Sequence, residues 1–149
     1  MPILDHTIVA ARDNQQAAAF MTAILGVPPP VTLGPFALVR VGENTTLDFL
    51  TVEAPVESQH YAFLVTEAEF DEIFSRIRDR GLRYWADPFR HEPDRINTWD
   101  GGRGVYFDDP NGHLLEIITR SYGTGGTTTD QPHPLVAATN PDRPDGERR

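Results

Sequence analysis

The sequence contains no cysteine. That absence removes disulfide frameworks, thiol nucleophiles and thiolate zinc sites together, so any bound metal must take its ligands from His, Asp or Glu. Positive charge is also scarce. Thirteen basic residues against 22 acidic ones leave a net charge of -9, and the segment after Arg120 carries only one unit of it. The remainder repels phosphate backbones, which argues against a nucleic acid as the main partner. Long apolar runs are missing as well: with 39% apolar and 23% charged residues and a mean hydropathy of -0.39, no stretch reads as a membrane span. The opening MPILDHTIVAARD has neither a basic n-region nor an apolar run of secretory length, so a cytoplasmic protein is expected.

What is present suits one domain with its own core, over residues 1–122. From residue 123 the text turns to Gly, Thr, Pro and Asp, a composition that buries too little to offset its ordering entropy, so 123–149 is expected to be a flexible tail. Inside the domain, ILDHTIVAA (3–11) reads as a strand and DNQQAAAFMTAILG (13–26) as a helix. Asp13 and Gln16 form its capping box, and Gly26 is its stop. PFALVRV (35–41) and TLDFLTV (46–52) read as a hairpin. The order then repeats. QHYAFLV (59–65) is a strand, TEAEFDEIFSRIRDRG (66–81) a helix with Thr66 and Glu69 as capping box, and GVYFDDPNGHLLEIIT (104–119) a hairpin with an Asn-Gly turn. Strand, helix and hairpin therefore occur twice, in modules of about 3–53 and 58–120.

The repeat superimposes chemistry. His6 and His60 sit at matching places in the opening strands, and Asp48 matches Glu116 in the closing ones. Glu116 lies between Leu115 and Ile117, and an ionised carboxylate on a buried strand face costs several kcal/mol (order of magnitude) unless it is compensated. A divalent cation compensates it. Imidazole nitrogen and carboxylate oxygen suit Zn, Ni, Co, Mn or Fe(II), and such a set leaves positions open for water or substrate.

LDHTIVAARD, QHYAFLV and GVYFDDPNGHLLEI resemble the vicinal oxygen chelate superfamily, which includes glyoxalase I, fosfomycin-resistance thiol transferases, extradiol dioxygenases and bleomycin-resistance proteins. The resemblance covers nearly all of 3–120. It implies an α+β fold of paired βαβββ modules curled around a metal cavity, commonly in a homodimer whose subunits exchange modules. It also implies one divalent ion held by His6, His60 and Glu116, with Asp48 where glyoxalase I has Glu, and a small-molecule substrate bound through its oxygens. A glyoxalase-like lyase or isomerase is the first reading, with Glu116 or Asp48 as the base. An Fe(II) extradiol-type dioxygenase is the second, and a metal-free sequestering protein of the bleomycin-resistance kind the third. Against fosfomycin as substrate stands Ile8, where those transferases carry a hydroxyl residue.

Around the metal, Arg120 is in period-two phase with Glu116 and is expected at the cavity rim. Trp99 and Tyr106 are expected in an aromatic wall, as are Trp85 and Phe107, for which core packing is an equal alternative. Residues 84–104 have no counterpart in the first module, which marks them as a specificity loop. His113 is read as part of the turn, His91 as surface, and His133 is set aside with the tail.

Overall fold

In the computed structural model, which describes residues 1–124 and 130–135, burial alternates along the strands 6–11, 36–41, 45–51 and 60–64 as the period-two pattern requires. The first module runs β1 (His6–Ala11), α1 (Asn14–Leu25), β2 (Val31–Leu33), β3 (Phe36–Val41) and β4 (Thr45–Thr51). The second runs β5 (His60–Leu64), α2 (Glu67–Asp79), β6 (Tyr84–Trp85), β7 (Gly104–Asp108) and β8 (Leu114–Ile118). Each module is thus βαβββ, and each makes its own four-stranded mixed sheet, in the orders β1-β4-β3-β2 and β5-β8-β7-β6. The class is α+β, as expected. Of the structural expectations, the tail at 125–129 and 136–149 lies outside the described residues.

Register makes the repeat explicit. β1 pairs parallel with β4, placing Ile8 beside Asp48, and β5 pairs parallel with β8, placing Ala62 beside Glu116. On their other sides, Leu38 opposes Asp48 and Tyr106 opposes Glu116. The two carboxylates therefore occupy equivalent positions.

One face of each sheet packs under its helix. Val9, Val39 and Phe49 meet Ala18, Met21 and Ile24 of α1, and Phe107, Leu115 and Ile117 meet Phe70, Ile73 and Ile77 of α2, all in one core cluster. Each fully buried aromatic or aliphatic side chain contributes about 1.5–3 kcal/mol relative to exposure. The helix ends follow the sequence signals, except that only the Asp13 half of the box expected with Gln16 is formed. Asp13 accepts from the N–H groups of Gln15 and Gln16, and Thr66 and Glu69 complete a reciprocal capping box. At the end of α1, Arg76 of α2 donates to the Ile24 carbonyl at 3.1 Å. Gly26 is favoured there by its φ of 71°, and a Cβ at this position would also displace that guanidinium, from which it would lie 2.7 Å.

Two details differ from expectation. A short exposed strand, β2, precedes the first hairpin where none was read. The turn between β7 and β8 is not a two-residue Asn-Gly turn, because that type needs a positive φ at both residues and only Gly112 has one. Pro110 starts a wider turn, in which Gly112 N–H donates to the Asp109 carbonyl and the Asp109 carboxylate accepts from Asn111 and His113 N–H. The turn ties the modules together. Buried His113 accepts from Gln59 N–H at Nδ1 (3.0 Å), and its Nε2 is 2.7 Å from the Ala10 carbonyl. His113 is structural.

The second faces of the sheets differ. In the second module that face is covered by the 84–104 loop and by residues after β8, so β7 and most of β8 are buried on both sides. In the first module it is bare in a single chain. Ile8, Val31 and Leu33 are exposed there, and so is Leu64 on β5. Among the described residues no helix is long and apolar enough to cross a membrane.

Candidate metal centre

β5 and β8 bring His60 and Glu116 together. His60 Nε2 is 3.2 Å from Glu116 Oε2, and His60 Nδ1 is 2.9 Å from the Leu114 carbonyl. A carbonyl only accepts, so Nδ1 carries a proton and Nε2 is the ring atom turned to the carboxylate. The contact is met either by a second proton on the imidazole, which makes it an ion pair, or by a cation that Nε2 and the carboxylate share. Adjacent ligands ~2.1 Å from an octahedral metal lie ~3.0 Å apart, close to the separation seen here. An anchored imidazole beside a buried carboxylate is a donor set that fits a divalent ion.

Glu116 is fully buried, while the His60 side chain is 46% exposed. Tyr122 donates to the second carboxylate oxygen, Oε1, and the Tyr106 and Tyr122 hydroxyls are 2.7 Å apart. Tyr122 spends its proton on Glu116, so Tyr106 donates to Tyr122. Burial, with the Glu116 interactions behind it, raises the pKa of both phenols far above ordinary tyrosine, although for Tyr106 the Tyr122 bond works the other way. Both remain neutral donors at physiological pH. Tyr106 also stacks on His60, with centroids 6.0 Å apart.

The other pair is elsewhere. His6 and Asp48 lie on the bare face of the first sheet, with the His6 side chain 57% exposed. Asp5, hydrogen-bonded to Nδ1 at 2.7 Å, and then the charge of Asp48 hold the His6 imidazolium above its usual pKa. Asp48 Oδ1 accepts from Thr46 Oγ1 at 2.8 Å. The sequence reading gathered His6, Asp48, His60 and Glu116 in one cavity, but a single chain separates them into two pairs on two sheets. Among the described residues no group of three His, Asp or Glu converges as a metal site. Near His60, an apolar groove of about 530 Å³ runs between the edge strands β1 and β5, lined by Leu4, Thr7, Leu47 and Leu64 among others.

Of the remaining expected residues, Tyr106 is at the site and Trp99 lies behind it, with ring centroids 6.4 Å apart. Trp85 and Phe107 are buried. Arg120 is not at the rim. β8 ends at Ile118, the alternation that would aim Arg120 at the cavity ends with it, and the exposed guanidinium donates to Thr124. The His91 side chain is 80% exposed. Sequence reasoning missed Tyr122 and His133. Both lie in Gly-, Thr- and Pro-rich text, and the only signal was an aromatic residue and a histidine within it. His133 is buried, its ring 4.1 Å from Tyr122 and 4.9 Å from Trp99.

Paired βαβββ modules with equivalent acid-bearing strands define a duplicated α+β fold. The model of the Glyoxalase/Bleomycin resistance protein/Dioxygenase superfamily matches residues 3–117, and the chain belongs to that superfamily. Two solved structures are similar over most of the chain. Oxidase ChaP-H1 is 55% identical, with 83% of this chain and 99% of that one covered and a TM-score of 0.81. Oxidase ChaP-H2 is 53% identical, with 84% and 98% covered and a TM-score of 0.82. The metallothiol transferase FosB of Shouchella clausii (strain KSM-K16) is 35% identical over 121 residues, 78% of this chain and 79% of that protein.

Proposed function

We propose that the chain is a metal-dependent oxidase of this superfamily, acting on a small substrate that binds through neighbouring oxygen atoms, with dioxygen as oxidant. The observation that carries the reading is the buried Glu116 carboxylate facing Nε2 of an anchored His60. The likeness to two proteins named as oxidases supports the reaction type.

The third ligand is His6 from a second copy of the chain. The bare face that carries His6 exposes Ile8, and Val31, Leu33 and Leu64 are exposed as well. A two-fold dimer would cover such residues and set the first-module pair of one copy against the second-module pair of the other, twice. Two imidazoles and one carboxylate form a facial set that leaves positions open. A bound divalent ion would supply Lewis-acid stabilisation of an ionised substrate oxygen and a place for dioxygen.

The chain's own residues do the rest. Leu114 fixes the His60 tautomer, and Tyr122 holds one oxygen of Glu116 so that the other faces His60. The aromatic rings beyond exclude water from the carboxylate. Substrate reaches the exposed side of His60, since Glu116 is closed off.

A glyoxalase-like lyase is the second reading, favoured by the position of Asp48 beside His6 as a fourth ligand. Its shorter arm and its bond to Thr46 favour the three-ligand site. The test is metal analysis of the purified protein, followed by oxygen uptake with Fe(II) and hydroxylated aromatics. Metal-dependent oxygen consumption is expected. Isomerisation of hemithioacetals without oxygen uptake would replace this reading with the lyase, and failure to bind any divalent ion would leave a sequestering protein.

A further inference from the structure

We propose that Asp100 is a positioning residue of the His60–Glu116 site, acting through the chain that follows β8. Only the metal-affinity part of its test rests on the ligand reading above. Asp100 sits in a short 3-10 turn, Trp99–Gly101, with φ 57°, a left-handed conformation that Asp adopts more readily than most residues. It is 1% exposed. A buried carboxylate is costly unless donors surround it, and here main-chain groups from two segments supply them. Gly123 N–H donates to Oδ2 and His133 N–H to Oδ1, both at 2.9 Å, and the N–H of Asp100 itself donates to the Gln131 carbonyl at 2.7 Å. One side chain thus binds residues 121–124 and 130–135 to the loop that precedes β7.

What it clamps is the back of the metal centre. Tyr122 adjoins Gly123 and places its hydroxyl on Glu116 Oε1. His133 packs its ring between Tyr122 and Trp99, and Trp99 adjoins Asp100. With one oxygen of Glu116 held by Tyr122, the other faces His60. The clamped segments follow residue 117, where the superfamily match ends, while Asp100 and Trp99 lie within it.

The test uses the full chain as wild type and as Asp100→Ala, Asp100→Asn and Tyr122→Phe. In chelator-treated protein, Asp100→Ala is expected to speed amide exchange at Gly123 and His133 roughly tenfold or more, the value of a hydrogen bond to a charged acceptor, with Leu115 and Ile117 unchanged. Asp100→Asn, which keeps one acceptor oxygen, falls between and decides the matter if the alanine variant also loosens the core. The Tyr122 hydroxyl proton, assigned by its absence in Tyr122→Phe, should be protected in wild type and lost in Asp100→Ala. Unchanged exchange at Gly123 and His133, or a hydroxyl proton that persists in Asp100→Ala, overturns the proposal. With Mn(II) as probe, Asp100→Ala and Tyr122→Phe should each weaken binding roughly 10- to 100-fold. The double variant should be no weaker than Tyr122→Phe alone, and additive losses would mean that Asp100 does not act through Tyr122. Absence of Mn(II) binding in wild type would refute the ligand reading and leave the exchange and hydroxyl results to decide the clamp.

Discussion

If His6 of one copy completes the His60–Glu116 pair of another, two defective variants must repair each other. His6→Ala and His60→Ala each delete one imidazole. Both side chains are about half exposed, so stability should change by no more than about 1 kcal/mol. Each variant alone loses the tight site, because every site in its dimer lacks one ligand. Mixed in equal amounts and allowed to exchange subunits, they form parental and mixed dimers in a ratio of about 1:2:1, and a mixed dimer contains one site with both imidazoles and one with neither. Tight binding should return to about one quarter of the wild-type capacity. Co(II) titration followed by its absorption, on co-refolded samples, measures this directly. A mixture that binds no more than its parents would show that the ligands belong to one chain or that His6 is not a ligand, and the shared-site argument would fail.

Other outcomes follow from the same geometry. At free metal 100 times Kd, loading should stabilise wild type by about 2.7 kcal/mol, or about 5–10 °C for a chain of this size. Glu116→Gln keeps an acceptor for Tyr122 but not the charge, so differential scanning calorimetry should show that shift abolished. Thr66→Ala removes half of the α2 capping box and should cost about 1 kcal/mol in urea unfolding. Burial opposes the charge on Asp87, but N–H bonds from His91, Glu92 and Phe89 outweigh it and lower its pKa. Its contribution to stability is therefore present above the unfolded value of about 4 and lost as pH falls through the lower folded value. Asp87→Asn should flatten that acid limb in pH-dependent thermal unfolding, and an unchanged limb would contradict it.

Much of the fold could be read from residue order. Helix limits followed capping residues, with Thr66 and Glu69 forming the predicted box and Gly26 stopping α1, because these signals act within one turn of chain. The module repeat was legible because period-two burial is local, and it aligned Asp48 with Glu116 as the register now shows. Arg120 failed as a rim residue for the complementary reason. Alternation holds only while the strand lasts, and nothing in ITRSYG marks Ile118 as its last residue. His133 was set aside with the tail because its burial depends on Asp100 and Trp99, more than thirty residues away.

The sequence by itself determined which side chains could hold a cation and that they come in two matched pairs, since spacing along a strand assigns each to a face. Only the tertiary structure decided that the pairs lie on separate sheets, and that Tyr122 and His133 close over one of them. Those outcomes arise from how the two sheets and the later chain pack in space, and the free energy of packing depends on surfaces brought together from distant positions, which no local pattern encodes.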